Sequence, residues 1–208
     1  MPWSRRTFLV TMAGAAVAGR SSSASADDER RVVVPHLAFG AIVMAVGGSD
    51  VTIEVDATLP LATMRLSTEA EARPVACADR LLLKGSGPAR RRYLDDARNA
   101  PKLGAAVRDA LRTHWPELGD AFAQRHKTWS RDLARTVLQW TKQLEGAGLR
   151  GKRVRDPHGR IYLLEWAGAQ VSADGLEPPP SLRSAPEHPA AATADAYAEY
   201  VQALVDLL

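Results

Sequence analysis

Apolar and polar positions along the chain predict its first elements. Residues 31–35 are a short β-branched run closed by a proline, which has no amide to give to a ladder, so one strand is expected with a loop starting at His36. Residues 38–46 are apolar with good helix formers, and Gly47-Gly48 supplies the left-handed backbone that stops a helix. Val51-Thr52-Ile53-Glu54-Val55 alternates apolar and polar side chains, the pattern of a half-buried strand. Leu81-Leu82-Leu83 is a continuous apolar triplet before Gly85-Ser86-Gly87 and predicts a strand buried on both faces. Strand, helix, strand, helix, strand is therefore expected over the first 87 residues, which favours a parallel sheet with right-handed crossovers.

Two helices follow. Leu103, Val107, Ala110, Leu111 and His114 recur at three- and four-residue intervals, with Asp95, Asp96 and Asn99 near the expected start, and Trp115-Pro116 ends the run. Leu118, Phe122, Trp129, Leu133, Val137, Trp140 and Leu144 then mark an apolar stripe on the longest helix of the chain, a packing surface and not a ligand box. Residues 152–155 predict a strand, Asp156-Pro157-His158-Gly159 has turn chemistry, and residues 161–166 fit either a return strand or a short helix. A proline-rich loop over 177–189 precedes a terminal amphipathic helix within 190–208, with Tyr197, Val201, Leu204, Val205 and Leu208 on one face.

The first 26 residues change the charge reading. Arg5-Arg6, an uncharged stretch over 7–19 and Ala24-Ser25-Ala26 read as a cleavable export signal, and Ser4-Arg5-Arg6-Thr7-Phe8-Leu9-Val10 resembles the twin-arginine type. A conventional secretory signal leads to the same compartment, and the uncharged stretch is too short to span a bilayer comfortably. The 208 residues carry 27 basic and 24 acidic side chains; without Arg5, Arg6 and Arg20 the numbers are 24 and 24. A near-neutral exported chain gives no general argument for nucleic-acid binding. The single cysteine, Cys77, excludes an intramolecular disulfide and a C-x-x-C site and is expected to be a small buried apolar residue.

Candidate chemistry is sparse. There is no G-x-S-x-G elbow, no H-E-x-x-H and no phosphate-binding P-loop, so no enzyme is expected. Asp95-Asp96 is expected to stabilise the amide end of a helix dipole. Arg90-Arg91-Arg92 offers an anion cradle, although a solvated charge run is the commoner outcome. His114 and His126 are read as capping or surface residues, and His188 as the structural opening of the last helix.

Several segments in order resemble the zinc- and manganese-binding receptors of ABC importers, the TroA-like family. Val32-Val33-Val34 followed by a helix and Val46-Gly47-Gly48-Ser49-Asp50-Val51 looks like that family's opening. Val75-Ala76-Cys77-Ala78-Asp79-Arg80-Leu81-Leu82-Leu83-Lys84-Gly85-Ser86-Gly87 is similar to its A-x-A-D-L-V-x-x-N-G-x-G strand. Tyr93-Leu94-Asp95-Asp96-Ala97-Arg98-Asn99-Ala100 resembles its H-x-W-L-D-P-x-N-A helix start, Leu149-Arg150-Gly151-Lys152-Arg153-Val154 its L-x-G-K-x-V strand, and the stretch from Leu176-Glu177-Pro178 to His188 an E-P loop and the helix start after it. Together these cover most of residues 31–190.

The resemblance implies an α/β fold of two small lobes with parallel sheets flanked by helices and joined by one long backbone helix. The N-terminal lobe is expected over 27–114, the linking helix over 115–147 and an incomplete second lobe over 148–208. It also implies a metal held between the lobes by three histidines and a carboxylate. Carried over by position, the first histidine falls near Thr63, the second on Arg91 and the third on His158, while the fourth belongs to a strand beyond Leu208. His36, which follows the first strand as His158 follows the first strand of the second lobe, is the further candidate ligand. The expected function is a periplasmic, monomeric receptor of a metal-ion ABC importer, degenerate at its metal site, with zinc or manganese as transported ligand and an inner-membrane permease as partner. The alternative is a TroA-like interaction module that binds a protein and no metal.

Overall fold

The computed structural model describes residues 30–68 and 71–208, so the export signal expected over 1–26 lies outside the described residues. The chain is a mixed α/β protein. Strand β1 (Arg31–Val34) leads through His36 into helix α1 (Leu37–Gly47), and β2 (Thr52–Val55) returns parallel to β1, with Val32 opposite Ile53. Two further strands, β3 (Thr63–Thr68) and β4 (Glu71–Ala76), complete a four-stranded sheet in the order β2-β1-β3-β4.

Both added pairings are antiparallel, so this sheet is mixed and not the all-parallel sheet that the sequence predicts. The helix expected between the second and third strands is absent, and a hairpin occupies its place. The strand expected at 81–83 is also corrected. Cys77 caps a short 3-10 turn over Ala78–Arg80, and the triplet then runs as irregular chain with Leu82 61% exposed. An apolar run buried on both faces needs cover above and below, and Leu82 has none. Met64 and Leu66 on β3 are buried with the period of two that a one-sided sheet requires. Pro74 on β4 sits opposite Arg65 on the outermost strand, where its missing amide costs the ladder least.

Helix α1 is apolar all round and is buried over most of its surface, with only Leu37, Met44 and Ala45 partly open, as such a helix requires. Phe39, Ile42, Val43 and Val46 are fully covered, and burying each contributes about 1.5–3 kcal/mol. After the short helix α2 (Gly87–Arg90), α3 (Ala100–His114) and the 28-residue α4 (Gly119–Gly146) pack against α1. They approach closely at Gly104, where an added Cβ would lie 2.5 Å from the ring of Trp129. Arg125 on α4 fastens the end of α1 by donating to the Val46 carbonyl at 3.0 Å and to Asp50 at 2.6 Å.

Beyond α4 the chain forms a two-stranded parallel ladder, β5 (Arg153–Val154) with β6 (Gln170–Val171), connected through α5 (Ile161–Trp166). The open choice at 161–166 thus resolves to helix. The proline-rich segment holds a 3-10 turn at Pro180–Ser184, and α6 (Ala194–Val205), capped by Thr193, returns against α1 and α4. The apolar core is contiguous from Val32 on β1 to Val205 on α6. Among the described residues no helix is long and apolar enough to cross a membrane.

Candidate functional site

His36 stands two residues past the end of β1 and caps α1. Its extended backbone turns the ring back so that Nδ1 accepts the Phe39 amide at 3.2 Å. A ring nitrogen that accepts is unprotonated, so the proton of this imidazole sits on Nε2. That atom is buried and has no hydrogen-bond partner. Burial, reinforced by the nearby Arg91 cation, pulls the imidazole pKa down to about 4. The ring edge packs on Tyr93 with centroids 5.5 Å apart.

A cavity of about 280 Å3 opens beside this ring, lined among others by His36, Arg91, Arg92, Asp95, Glu187 and His188. It lies beyond the carboxyl ends of the parallel pair β1 and β2. Arg91 reaches Ala57, just past β2, donating to its carbonyl at 3.1 Å. A crevice outside the carboxyl ends of parallel strands is the usual ligand position in α/β proteins.

One wall is fixed by a buried polar cluster. Arg160 and Asp95 are each 2% exposed and pair at 2.9 Å through Nη1 and Oδ2, while the Tyr200 hydroxyl donates to the other carboxylate oxygen. Burial pushes the Asp95 carboxyl above its ordinary value, and Arg160 and Tyr200 act against that push. Both Asp95 oxygens accept charged or hydroxyl donors, the arrangement of a carboxylate. Arg160 Nη2 donates to the carbonyls of Ala185 at 3.1 Å and Pro186 at 2.7 Å, which carries Glu187 and His188 to the cavity. Arg92 binds Glu187 from the opposite side, and its Nη1 is buried without a partner.

The residues singled out by the sequence divide at this point. His36 and Arg91 line the cavity; His158 is not among its lining residues and sits on the Asp156-Pro157-His158-Gly159 turn, whose Asp156 accepts the Arg160 amide at 2.6 Å. Gly159 takes φ +68° there, a left-handed conformation suited to glycine. That turn delivers Arg160 into the interior. Thr63 begins β3. Among the described residues, no group of three or more His, Cys, Asp or Glu side chains could hold a metal ion. The helix-dipole role expected of Asp95-Asp96 is corrected in part: Asp96 accepts the Arg98 amide at 3.0 Å and caps a short turn, whereas Asp95 faces inward to Arg160. His188 lies six residues before α6 and does not open it. Arg160, Tyr200 and Glu187 escaped the sequence reading. Tyr200 follows Tyr197 by three residues on the same stripe, and an arginine leading the apolar stretch Ile161-Tyr162-Leu163-Leu164 was the available signal for Arg160.

A larger cavity, of about 440 Å3, lies between β4 and α3 against Leu66, Val75, Cys77, Ala106, Ala110 and His114. Its polar rim closes on itself through the Arg80–Asp109 ion pair at 3.1 Å. Burial pushes the Cys77 thiol up to about 12, so it is an inert apolar filler there and no nucleophile. No protein-family model matches the chain, and no curated protein or solved structure matches it either.

Proposed function

We propose that the chain is the exported solute receptor of an ABC importer, of the zinc and manganese receptor type that its motifs resemble, degenerate at the metal position. On this reading the four-stranded sheet and the β5–β6 ladder belong to two halves braced by α4, and the solute sits between them. The observation that carries the proposal is the cavity beside His36: it lies past the carboxyl ends of β1 and β2 and takes lining residues from the loop before α6 as well as from the first half. A receptor needs a crevice shared by two parts of its chain, because ligand contacts to both parts let the ligand report itself to a permease.

The degeneracy follows from charge and proton placement. Arg91 stands where the resemblance expects a second imidazole, and the His36 ring keeps its lone pair on the capping bond. In this conformation His36 gives no lone pair to a metal. Equilibrium dialysis against zinc and manganese tests the reading: binding weaker than micromolar in the parent, with Arg91→His strengthening zinc binding by about tenfold or more, is the expected outcome. Tight zinc binding by the parent that is lost in His158→Ala would mean an intact metal receptor. The interaction-module reading draws support from the same Arg91, since a cation at a former ligand position serves a protein contact equally well.

A further inference from the structure

We infer that the cavity beside His36 takes a small oxyanion, a carboxylate or a phosphate-type group, held by Arg91, Arg92 and the Nε2–H of His36. This rests on the receptor reading above and names the class of its solute.

Three independent features converge. The first is the supply of unused donors. His36 Nε2 and Arg92 Nη1 are both buried without partners, and both residues line the same cavity. A buried donor left unpaired loses its hydration without compensation, so two in one cavity mark a place where an acceptor is missing. Because Nδ1 is committed to the Phe39 amide, Nε2 can only donate, which suits an oxygen ligand and not a cation.

The second feature is the balance of charge. Three guanidinium groups, those of Arg91, Arg92 and Arg160, are set against two carboxylates. Asp95 is taken by Arg160 and Tyr200, and Glu187 by Arg92. Arg91 donates to the Ala57 carbonyl through its Nη1 and pairs with no carboxylate among the described residues, so one positive charge at the cavity is left without a counter-charge there. The third is the amino end of α1, an eleven-residue helix with no acidic residue in its first turn, whose Ala38 also lines the cavity. Its dipole adds positive potential at the same place. At about 280 Å3 the space suits a small ligand and falls just below the range of drug-sized pockets.

Titration calorimetry of the full chain with inorganic phosphate and with citrate, each in the presence of EDTA, and separately with zinc alone, tests the inference. Saturable binding of one or both anions is expected, weakened by rising salt and weakened about tenfold or more by Arg91→Gln. His36→Asn, which keeps a capping acceptor while removing the Nε2–H, should weaken it as well. Phosphate against citrate distinguishes the two oxyanion types. Anion binding indifferent to both substitutions places the anion elsewhere and overturns the inference. Zinc binding without anion binding overturns it too, while the receptor reading stands; absence of binding by phosphate, citrate and zinc alike overturns both. Arg91 is exposed, so an unchanged melting temperature of Arg91→Gln separates lost binding from lost folding.

Discussion

The two ends of the chain are held by different physics. Around α1 the packing is mostly apolar: Phe39, Ile42 and Val43 are fully buried among β1, α3, α4 and α6, and side chains bond its backbone at its two ends, His36 at the first turn and Arg125 at the Val46 carbonyl. Beyond α4, short elements with little sheet of their own are tied down by side-chain hydrogen bonds. Arg160 holds Asp95 and two loop carbonyls, the Tyr162 hydroxyl accepts the Lys84 amide at 2.6 Å, and the Trp140 and Trp166 indoles donate to Gln202 at 2.8 Å and Thr141 at 3.1 Å. A two-residue ladder cannot supply its own cooperativity, so directional contacts to the rest of the fold do so. Of these, the Arg160 contacts also shape a wall of the cavity, through Asp95 and the loop that carries Glu187 and His188.

Breaking the largest contact on each side should separate the two regimes. Arg160→Ala leaves the Asp95 carboxylate buried and unpaired and should cost about 3–5 kcal/mol in urea unfolding. Phe39→Ala should cost a similar amount, about 3–5 kcal/mol, through the cavity it leaves. What distinguishes them is rescue. Arg160→Met combined with Asp95→Leu removes both charges and should recover a substantial part of the loss, because replacing a whole buried pair by apolar groups is often nearly neutral. If that double variant is as unstable as Arg160→Ala, the loop carbonyls and not the ion pair carry the anchor.

A pH titration probes the junction between the regions. The His36 imidazole has its pKa lowered to about 4 in the folded chain, below the ordinary value of 6.5, so the unfolded chain takes up a proton first as pH falls. Stability is therefore full above about pH 6.5 and drains away as pH drops toward 4. His114 and His126, also lowered by burial and by neighbouring arginines, act in the same direction. Melting temperatures measured between pH 7 and pH 4.5 should fall, and His36→Asn should flatten much of that fall. A fall of the same size in His36→Asn would assign the acid sensitivity to the other two histidines.

Legibility in the sequence followed this division. Helices α3 and α4 were readable because each obeys one period over enough residues, and the stripe through Phe122, Leu133, Trp140 and Leu144 is buried as read; the strand at 31–34 was readable from its β-branched residues closed by Pro35, and α1 from the length of its apolar run before Gly47-Gly48. The β3–β4 hairpin was missed although Met64 and Leu66 alternate correctly, because Pro74 interrupts the run and reads as a breaker until the strand is known to be outermost. Leu81-Leu82-Leu83 misled because three apolar residues carry no period. At the site, His36 and Arg91 were singled out, but Arg160 was not, since an arginine in sequence reads as surface and only the fold reveals the carboxylate opposite it. His158 drew the eye; its turn places its neighbour.

The smallest effect tests whether the polar ties at the second half are cooperative or merely additive. Trp140 fills space against Trp166, ring centroids 6.3 Å apart, and also donates its indole N–H to Gln202 on α6. Trp140→Phe keeps most of the ring and removes the donor, and an isolated hydrogen bond of this kind contributes about 0.5–1.5 kcal/mol. An additive tie predicts a loss of at least that size, since the smaller ring also leaves a small cavity, and the same increment on top of Arg160→Ala. If α6 is held jointly by Tyr200 and Gln202, two residues apart on different faces, the increment in the Arg160→Ala background should shrink, because a helix already released at Tyr200 has less left to lose at Gln202. A double-mutant cycle by urea unfolding reads the difference, and a coupling energy within about 0.3–0.5 kcal/mol of zero would mean that the second half is fastened by independent pins.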